Sequence, residues 1–195
     1  MKNKCTYLYD EEVLERKNDT YLDNVINDYY KVCKEKPNDK DAQFDALNCV
    51  FKVMEYRPLI VPKEMLMKVD PEDLKKSKKK KDVPVVNLED ETSTGNIVFS
   101  PLYLSATSYE TNEKLKILVI LSSLNKIDVT KQLGIVKMCS MSFKEIYEKY
   151  MLTNEADGIS LNPMIDGFQI THEIGKYIYN GCKEEDWLKI IEKFR

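Results

Sequence analysis

The stretch DGISLNPMIDGFQIT, residues 157–171, has the clearest structural pattern in the chain and decides its fold class. Its apolar residues alternate with polar ones on both sides of the centre, a period of two that lines one face of a sheet. Between the two arms, Asp166-Gly167 provides residue types that tolerate a tight turn. The stretch is therefore predicted to form a β-hairpin with one buried face, made by Ile159, Leu161, Phe168 and Ile170.

Two helices are predicted downstream of this hairpin. Thr171 can cap a short helix that ends at Asn180-Gly181, since asparagine and glycine favour helix ends. A last amphipathic helix follows, with apolar residues at i, i+3, i+4 and i+7 from Trp187. We expect Trp187 to lie in the core; on an exposed helix it would belong to a partner site.

Two further helices are predicted upstream. The first begins near Thr20, where Thr20 and Asp23 have the spacing of a capping box. The second ends at Tyr56, because Pro58 biases Arg57 away from helical geometry. Both helices carry one apolar face, which in the first consists of Leu22, Val25, Ile26, Tyr29 and Cys33.

The region between residues 59 and 104 is predicted to contain short strands. Residues 59–61 form one, and a polar connection covers residues 63–81. Residues 83–88 and 96–104 are predicted to pair as a hairpin around an acidic loop. Pro101 indicates an edge, a strand end or a bulge, since proline cannot donate a ladder hydrogen bond.

Residues 110–125 are ambiguous, because a continuous apolar run such as 117–121 fits either a buried strand or a buried helix. Thr111 as a cap and Glu113 in the first turn favour a helix. After it, Ile135–Met141 is predicted to be a strand that leads into a capping box at Ser142.

This order of elements, helices first and then strands mixed with helices, is typical of an α+β protein. We expect a compact mixed or antiparallel sheet with flanking helices. Residues 1–38 are interpreted as an N-terminal helical extension, and residues 39–195 as the α+β domain with its C-terminal helix.

Five segments together resemble a known family. ADGISLNP (156–163) and FQITHE (168–173) are similar to the end of the SseB-type domain of the enhanced-serine-sensitivity family, with its D-G-I-x-x-N-P strand. PLIVP (58–62) resembles that family's early V-x-V-P strand. SPLYLS (100–105) resembles its L-P-x-F-T-S segment, and MSFKEI (141–146) its M-S-F-x-E-L helix start.

The resemblance covers roughly residues 42–180 in the family's order. It departs at Tyr103, at Leu104-Ser105 and at Thr171, where the family has Phe, Thr-Ser and commonly Pro. The resemblance implies a compact SseB-like α+β domain of bacterial origin. It implies no catalytic residues.

Composition narrows the class of protein. The 33 acidic and 30 basic residues of the 195-residue chain nearly balance, so its overall field favours neither nucleic acid nor an anionic membrane. The N-terminus lacks the apolar segment of a secretory signal, and the longest apolar run is too short to span a bilayer. Five scattered cysteines without a Cys-x-x-Cys pair are expected to be reduced thiols of a cytoplasmic protein.

The hairpin supplies the candidate binding residues. Asn162 and Pro163 fit a turn for local backbone reasons. The functional alternative is a loop that presents Asn162, Asp166 and Phe168 to a partner, with His172 beside it. We therefore take these four residues as candidates for partner or ligand binding, and we assign no catalytic residue.

His172 is the only histidine, so any histidine-dependent mechanism would use it. A Cys–His dyad with Cys139 or Cys182 stays open, since nucleophile and base meet in space and not in sequence. One histidine and scattered cysteines do not make a zinc site. The glycines are spread singly and form no phosphate-binding loop, so no metal or cofactor is expected.

The lysine-rich run at residues 75–81 could bind phosphates. It lacks interleaved aromatic residues that would stack on bases, which argues against nucleic acid. Our first hypothesis is a non-enzymatic protein-interaction domain that acts through a concave sheet face or its terminal helices, with self-association left open. The alternatives are a small-ligand or Cys/His-dependent enzyme around His172, and an RNA-binding accessory protein.

Overall fold

The computed structural model describes residues 6–66, 98–108, 111–130, 134–165 and 167–193. These residues form an α+β fold, as the order of patterns predicts. The strands are β1 (Thr6–Tyr9), β2 (Leu59–Leu66), β3 (Val98–Pro101), β4 (Tyr103–Thr107), β5 (Lys114–Ile120), β6 (Ile135–Met141), β7 (Gly158–Leu161) and β8 (Phe168–Ile170). The helices are α1 (Glu11–Glu15), α2 (Tyr21–Glu35), α3 (Lys40–Tyr56), α4 (Phe143–Ile146), α5 (His172–Tyr179) and α6 (Glu184–Glu192). A 3₁₀ helix covers Leu124–Thr130, and α4 continues as a π-helical turn over Tyr147–Met151.

The strands form two four-stranded mixed sheets, not one. The first sheet has the order β1-β6-β2-β3, in which only β1 and β6 are parallel. The second has the order β4-β5-β7-β8, in which only β5 and β7 are parallel. The two sheets meet where Ile60 and Leu121 exchange backbone hydrogen bonds of 3.0 and 2.8 Å.

The predicted helix at residues 110–125 is wrong, since this region contains the strand β5. Successive residues of β5 face two different cores, which explains why the apolar run is continuous. Leu118 and Ile120 belong to the larger core, which α2, α3, α5 and α6 complete. Val119 and Leu121 belong to a smaller core with Val136 and Met138 of β6.

The predicted hairpin at residues 157–171 is confirmed, with Ile159 opposite Ile170 and Leu161 opposite Phe168. The prediction of one buried face is wrong for β7, whose four residues are all buried. The reason is its central position between β5 and β8. β8 lies at the edge of the sheet and keeps the alternating pattern, with Gln169 exposed.

Residues 83–88, which are predicted to pair with residues 96–104, lie outside the described residues, so this pairing stays a prediction. Of the second segment, β3 pairs with β2, with Lys63 opposite Pro101. Pro101 ends β3, and among the described strands β3 lies at the edge of its sheet, as the missing N–H of proline predicts.

Residues 6–38 contribute to the first sheet and to the larger core. β1 hydrogen-bonds to β6 with Thr6 opposite Ile135. On α2, Leu22 and Ile26 are buried in the larger core. The segment interpreted as a helical extension therefore contains a strand, and it packs with the rest of the chain.

Candidate functional site

A cluster of four buried polar side chains lies where the two parallel strands of the second sheet end. Ser122 and Ser123 follow β5, and Asn162 follows β7. Because the two strands are parallel, their carboxyl ends lie side by side, a common place for ligand sites in sheets. Asp23, from the first turn of α2, completes this polar cluster.

Hydrogen bonds join all four members. Ser122 Oγ donates to Asp23 Oδ1, and Ser123 Oγ donates to Asp23 Oδ2 at 2.5 Å. Asn162 Oδ1 accepts from the Ser122 N–H at 2.9 Å. Asn162 Nδ2 donates to Ser122 Oγ at 2.8 Å.

The position of Asp23 corrects the predicted capping box. α2 begins after Thr20 as predicted, but the Thr20 side chain makes no capping hydrogen bond. The N–H of Tyr21 donates instead to Asp19 Oδ1 at 3.1 Å. Asp23 is therefore available to the two serines, and it ties α2 to the ends of the central strands.

Beside the polar cluster lies a narrow cleft of about 10 Å³, room for about one water molecule. Arg16 and Asp19 line it together with both serines. Arg16 Nη2 donates to Asp19 Oδ2 at 2.9 Å, and Arg57 reaches the same oxygen at 3.5 Å. Burial alone would raise the pKa of Asp19. The hydrogen bonds from Arg16 and Tyr21, with the charges of Arg16 and Arg57, outweigh burial and hold it below its usual value.

The hydrogen bonds of the polar cluster hold α2 against the ends of β5 and β7. Both serine hydroxyls donate hydrogen bonds to the Asp23 carboxylate, and Ser123 Oγ also accepts one from the N–H of Asn125 at 3.2 Å. Buried polar groups that are all hydrogen-bonded avoid the penalty of desolvation and hold one packing arrangement. The adjoining cleft is too small for an organic substrate.

The three candidate residues of the hairpin that the structure describes, Asn162, Phe168 and His172, do not converge on one site. Asn162 is completely buried, with 0% exposure, so its side chain is not presented to a partner. Phe168 is half-buried and packs edge-on against Tyr29 and Phe51. His172 is exposed at the start of α5. Asp166 lies outside the described residues.

The turn between β7 and β8 presents apolar side chains instead. Met164 is 94% exposed, and Ile165 is about half exposed. Met164 has a φ of 65°, in the left-handed region. The turn is fixed against α2, because the Tyr30 hydroxyl donates to the Gly167 carbonyl at 3.2 Å. Gly167 is required here, since a Cβ would lie 1.7 Å from the Leu161 oxygen.

These residues border one surface concavity of about 500 Å³. Its described lining carries no formal charge, and apolar side chains project around it. We call this region the turn surface; it consists of Asn27, Tyr30, Met164, Ile165 and Gly167.

The two thiols proposed as partners of His172 are buried. Burial, with the nearby Asp10 carboxylate, raises the pKa of Cys139 to about 11. Burial and the charge of Glu55 raise the pKa of Cys182 to about 12. Cys182 follows the C-terminal end of α5 and His172 begins it, and the eight residues of α5 span about 12 Å at 1.5 Å per residue. With these raised pKa values both thiols are protonated near neutral pH, which disfavours either as a nucleophile paired with the histidine.

The remaining predictions can be compared with the structure only where its described residues cover them. Trp187 is 5% exposed, so it is a core residue as expected. The lysine-rich run at 75–81 lies outside the described residues. Within the described ranges, no group of three His, Cys, Asp or Glu side chains could hold a metal ion. In the same ranges, no helix combines the length and apolarity needed to cross a bilayer.

Sequence reasoning missed the turn surface and three members of the polar cluster. Met164 and Ile165 are two consecutive apolar residues inside a predicted turn, which is a readable signal. Ser122 and Ser123 directly follow the apolar run 117–121. Only when that run is a strand do the two serines lie at the carboxyl end of a strand, next to Asn162. For Asp23, the capping-box spacing predicts a hydrogen bond with Thr20 and not with the two serines.

Comparison with protein-family models, with curated proteins and with solved structures gives no significant match for this chain. The resemblance of residues 42–180 to the SseB-type domain therefore stays a prediction.

Proposed function

We propose that this chain is a protein-interaction domain and that the turn surface is its contact site. The observation that carries the proposal is the exposure of Met164. It is the most exposed large hydrophobic side chain in the described part of the chain, and Ile165 and Tyr30 stand beside it. Apolar side chains that cluster on a surface favour contact with another apolar surface, since contact removes them from water.

The turn surface is held in place before any partner arrives. The Tyr30–Gly167 hydrogen bond fixes the turn to α2, and the N–H of Ile165 donates to the Asn162 carbonyl at 3.3 Å. Asn162 is in turn fixed by the polar cluster. A preorganised contact site loses less conformational entropy on binding than a flexible loop does.

The chemistry of the lining selects the occupant. The described lining residues are neutral, so they offer no counter-charge to a phosphate or a nucleic acid. Methionine adapts its shape to irregular apolar surfaces and is common at protein-binding sites. We therefore assign the site to an apolar side chain of a different protein. This proposal does not depend on the resemblance to the SseB-type family.

The test compares proteins captured from an extract of the source cells by the tagged chain and by variants. Met164→Lys places a charge in the turn surface without changing the buried residues. Leu152→Lys is the matched control, because Leu152 is also exposed but does not border the concavity. We expect Met164→Lys to reduce retention of a partner by about tenfold or more, as for a central anchor. Leu152→Lys should leave it unchanged.

Two results would overturn the proposal. One is the same set of retained proteins for the original chain and Met164→Lys, with both folded by circular dichroism. The other is self-association of the purified chain, seen by light scattering, that Met164→Lys abolishes. That second result would make the occupant a second copy of this chain.

A further inference from the structure

We propose that Met164 is a site of reversible oxidation by hydroperoxides and that its sulfoxide disables the turn surface. This inference rests on the proposed function for its consequence, but not for the modification itself. The site is a thioether, and the co-reactant is a hydroperoxide such as hydrogen peroxide.

Exposure sets Met164 apart from the other methionines that the structure describes. Met54, Met138 and Met151 are buried in the two cores. Met65 and Met141 are partly covered. Oxidation requires the oxidant to reach a sulfur lone pair, so solvent access controls the order in which methionines react. Met164 is therefore expected to react first among these six.

The chemistry is a two-electron oxygen transfer. The sulfur lone pair attacks the distal oxygen of the hydroperoxide, the O–O bond breaks, and an S–O bond forms. The proton of the hydroperoxide passes to the departing oxygen, which leaves as an alcohol, or as water when the oxidant is hydrogen peroxide. Sulfur is oxidised and the peroxide is reduced. A dithiol reductant reverses the change, giving the thioether, a disulfide and water.

The product changes the character of the turn surface. The sulfoxide oxygen is a hydrogen-bond acceptor, and the Asn27 amide on the same concavity offers N–H donors. Oxidation therefore turns the most exposed apolar group into a polar one that is satisfied by water or by Asn27. A partner that buries it must remove that hydration, which weakens binding.

The modification is tested on the folded chain with dilute hydrogen peroxide as the probe. Peptide-level mass spectrometry follows the gain of one oxygen atom at each methionine with time. We expect Met164 to be oxidised at least about tenfold faster than Met54, Met138 and Met151, whose burial protects them. Equal rates at Met164 and at these buried residues, or an unreacted Met164, would overturn the assignment.

The consequence is tested by partner retention before and after peroxide treatment. Met164→Leu keeps an apolar side chain and cannot form a sulfoxide, so its retention should resist peroxide. Met164→Gln imitates the polar product and should lose about tenfold without peroxide. Peroxide treatment that leaves the retention of the original chain unchanged would refute the switch.

The two proposals fail in distinguishable ways. If Met164→Lys leaves partner retention unchanged, the turn surface is not the contact site, and oxidation of Met164 cannot control binding there. The mass spectra then decide separately whether Met164 is the oxidation site. If Met164 does not react but Met164→Lys abolishes retention, the contact site stands and this inference falls.

Discussion

Asn162 has the residue type of a turn former, but its side chain forms hydrogen bonds in the protein interior. Its φ of 45° is in the left-handed region, which asparagine tolerates better than most residues. Its amide accepts the Ser122 N–H and donates to the Ser122 hydroxyl. One residue therefore sets the end of β7 and fixes the end of β5.

Replacing Asn162 by Ala should destabilise the protein by about 2–4 kcal/mol, from left-handed strain and from buried groups left unpaired. Asn154→Ala is the matched control, because Asn154 is exposed and has a φ of 59°. It has the strain without the buried hydrogen bonds, so about 1 kcal/mol is expected. Urea denaturation measures both, and equal losses would show that the polar cluster adds no stability.

The reactivity of each thiol is expected to depend on how far the cysteine is buried. Cys49 is exposed, whereas Cys139 and Cys182 are buried, with pKa values of about 11 and about 12. At pH 7 in the folded protein, iodoacetamide should label Cys49 and spare the other two; in urea it should label all three. Rapid labelling of Cys182 in the folded chain would contradict this and revive the Cys–His hypothesis.

At the residue scale, the candidate residues and the proposed turn surface come from the same segment of the chain but are different side chains. Asn162 stood out because Asn-Pro is a local signal, but its burial depends on β5, a strand far away in sequence. Trp187 was predicted correctly because the helical period alone places it on the apolar face. Met164 is not among the candidate residues, because a turn is expected to be polar.

Among the elements, α5 depends on a close approach that only glycine permits. A Cβ on Gly175 would lie 2.9 Å from the Tyr147 ring of the π-helical turn. Gly175→Ala should therefore destabilise by about 1–3 kcal/mol through overpacking, despite a gain of up to about 1 kcal/mol in helix propensity. Lys176→Ala, on the exposed side of α5, should be nearly neutral. A stabilised Gly175→Ala in thermal unfolding would show that Tyr147 moves aside freely.

The link between α1 and α2 should give the stability a dependence on pH. The pKa of Asp19 is lowered in the folded state, so its contribution is present above its ordinary value of 3.8 and is lost as the pH falls through the folded value. Asp19→Asn should cost about 0.5–1 kcal/mol at pH 7, since the ion pairs are partly exposed. In urea titrations, the difference from the original chain should shrink as the pH falls below 3.8 and vanish once Asp19 is protonated in the folded state. A constant difference across that range would refute the assignment to ionised Asp19.

Elements with local signals were predictable. The capping box at Ser142 forms as its sequence indicates, with Ser142 and Glu145 bonded reciprocally. β5 was mistaken for a helix because a strand buried on both faces loses its period of two. Only the existence of a second core, which no local window reveals, explains that run.

At the scale of the whole molecule, the α+β class followed from the order of patterns, but the two-sheet arrangement did not. Strand pairing between β1 and β6, or between β5 and β7, joins segments without any local signal. For the same reason, no local pattern indicates that β1 joins the first sheet or that α2 packs in the larger core.

The pairing of β1 with β6 has a consequence for the newborn chain. β1 is synthesised before its partner β6, which begins only at Ile135, so the ribosome must synthesise more than 120 further residues before β1 can pair. At about 5–20 residues per second, β1 waits on the order of ten seconds. We expect pulsed hydrogen exchange on stalled nascent chains to find Thr6–Tyr9 unprotected until β6 has emerged; earlier protection would contradict this. β1 is therefore secured only after β6 has been made, and chaperones can bind the unpaired strand during that interval.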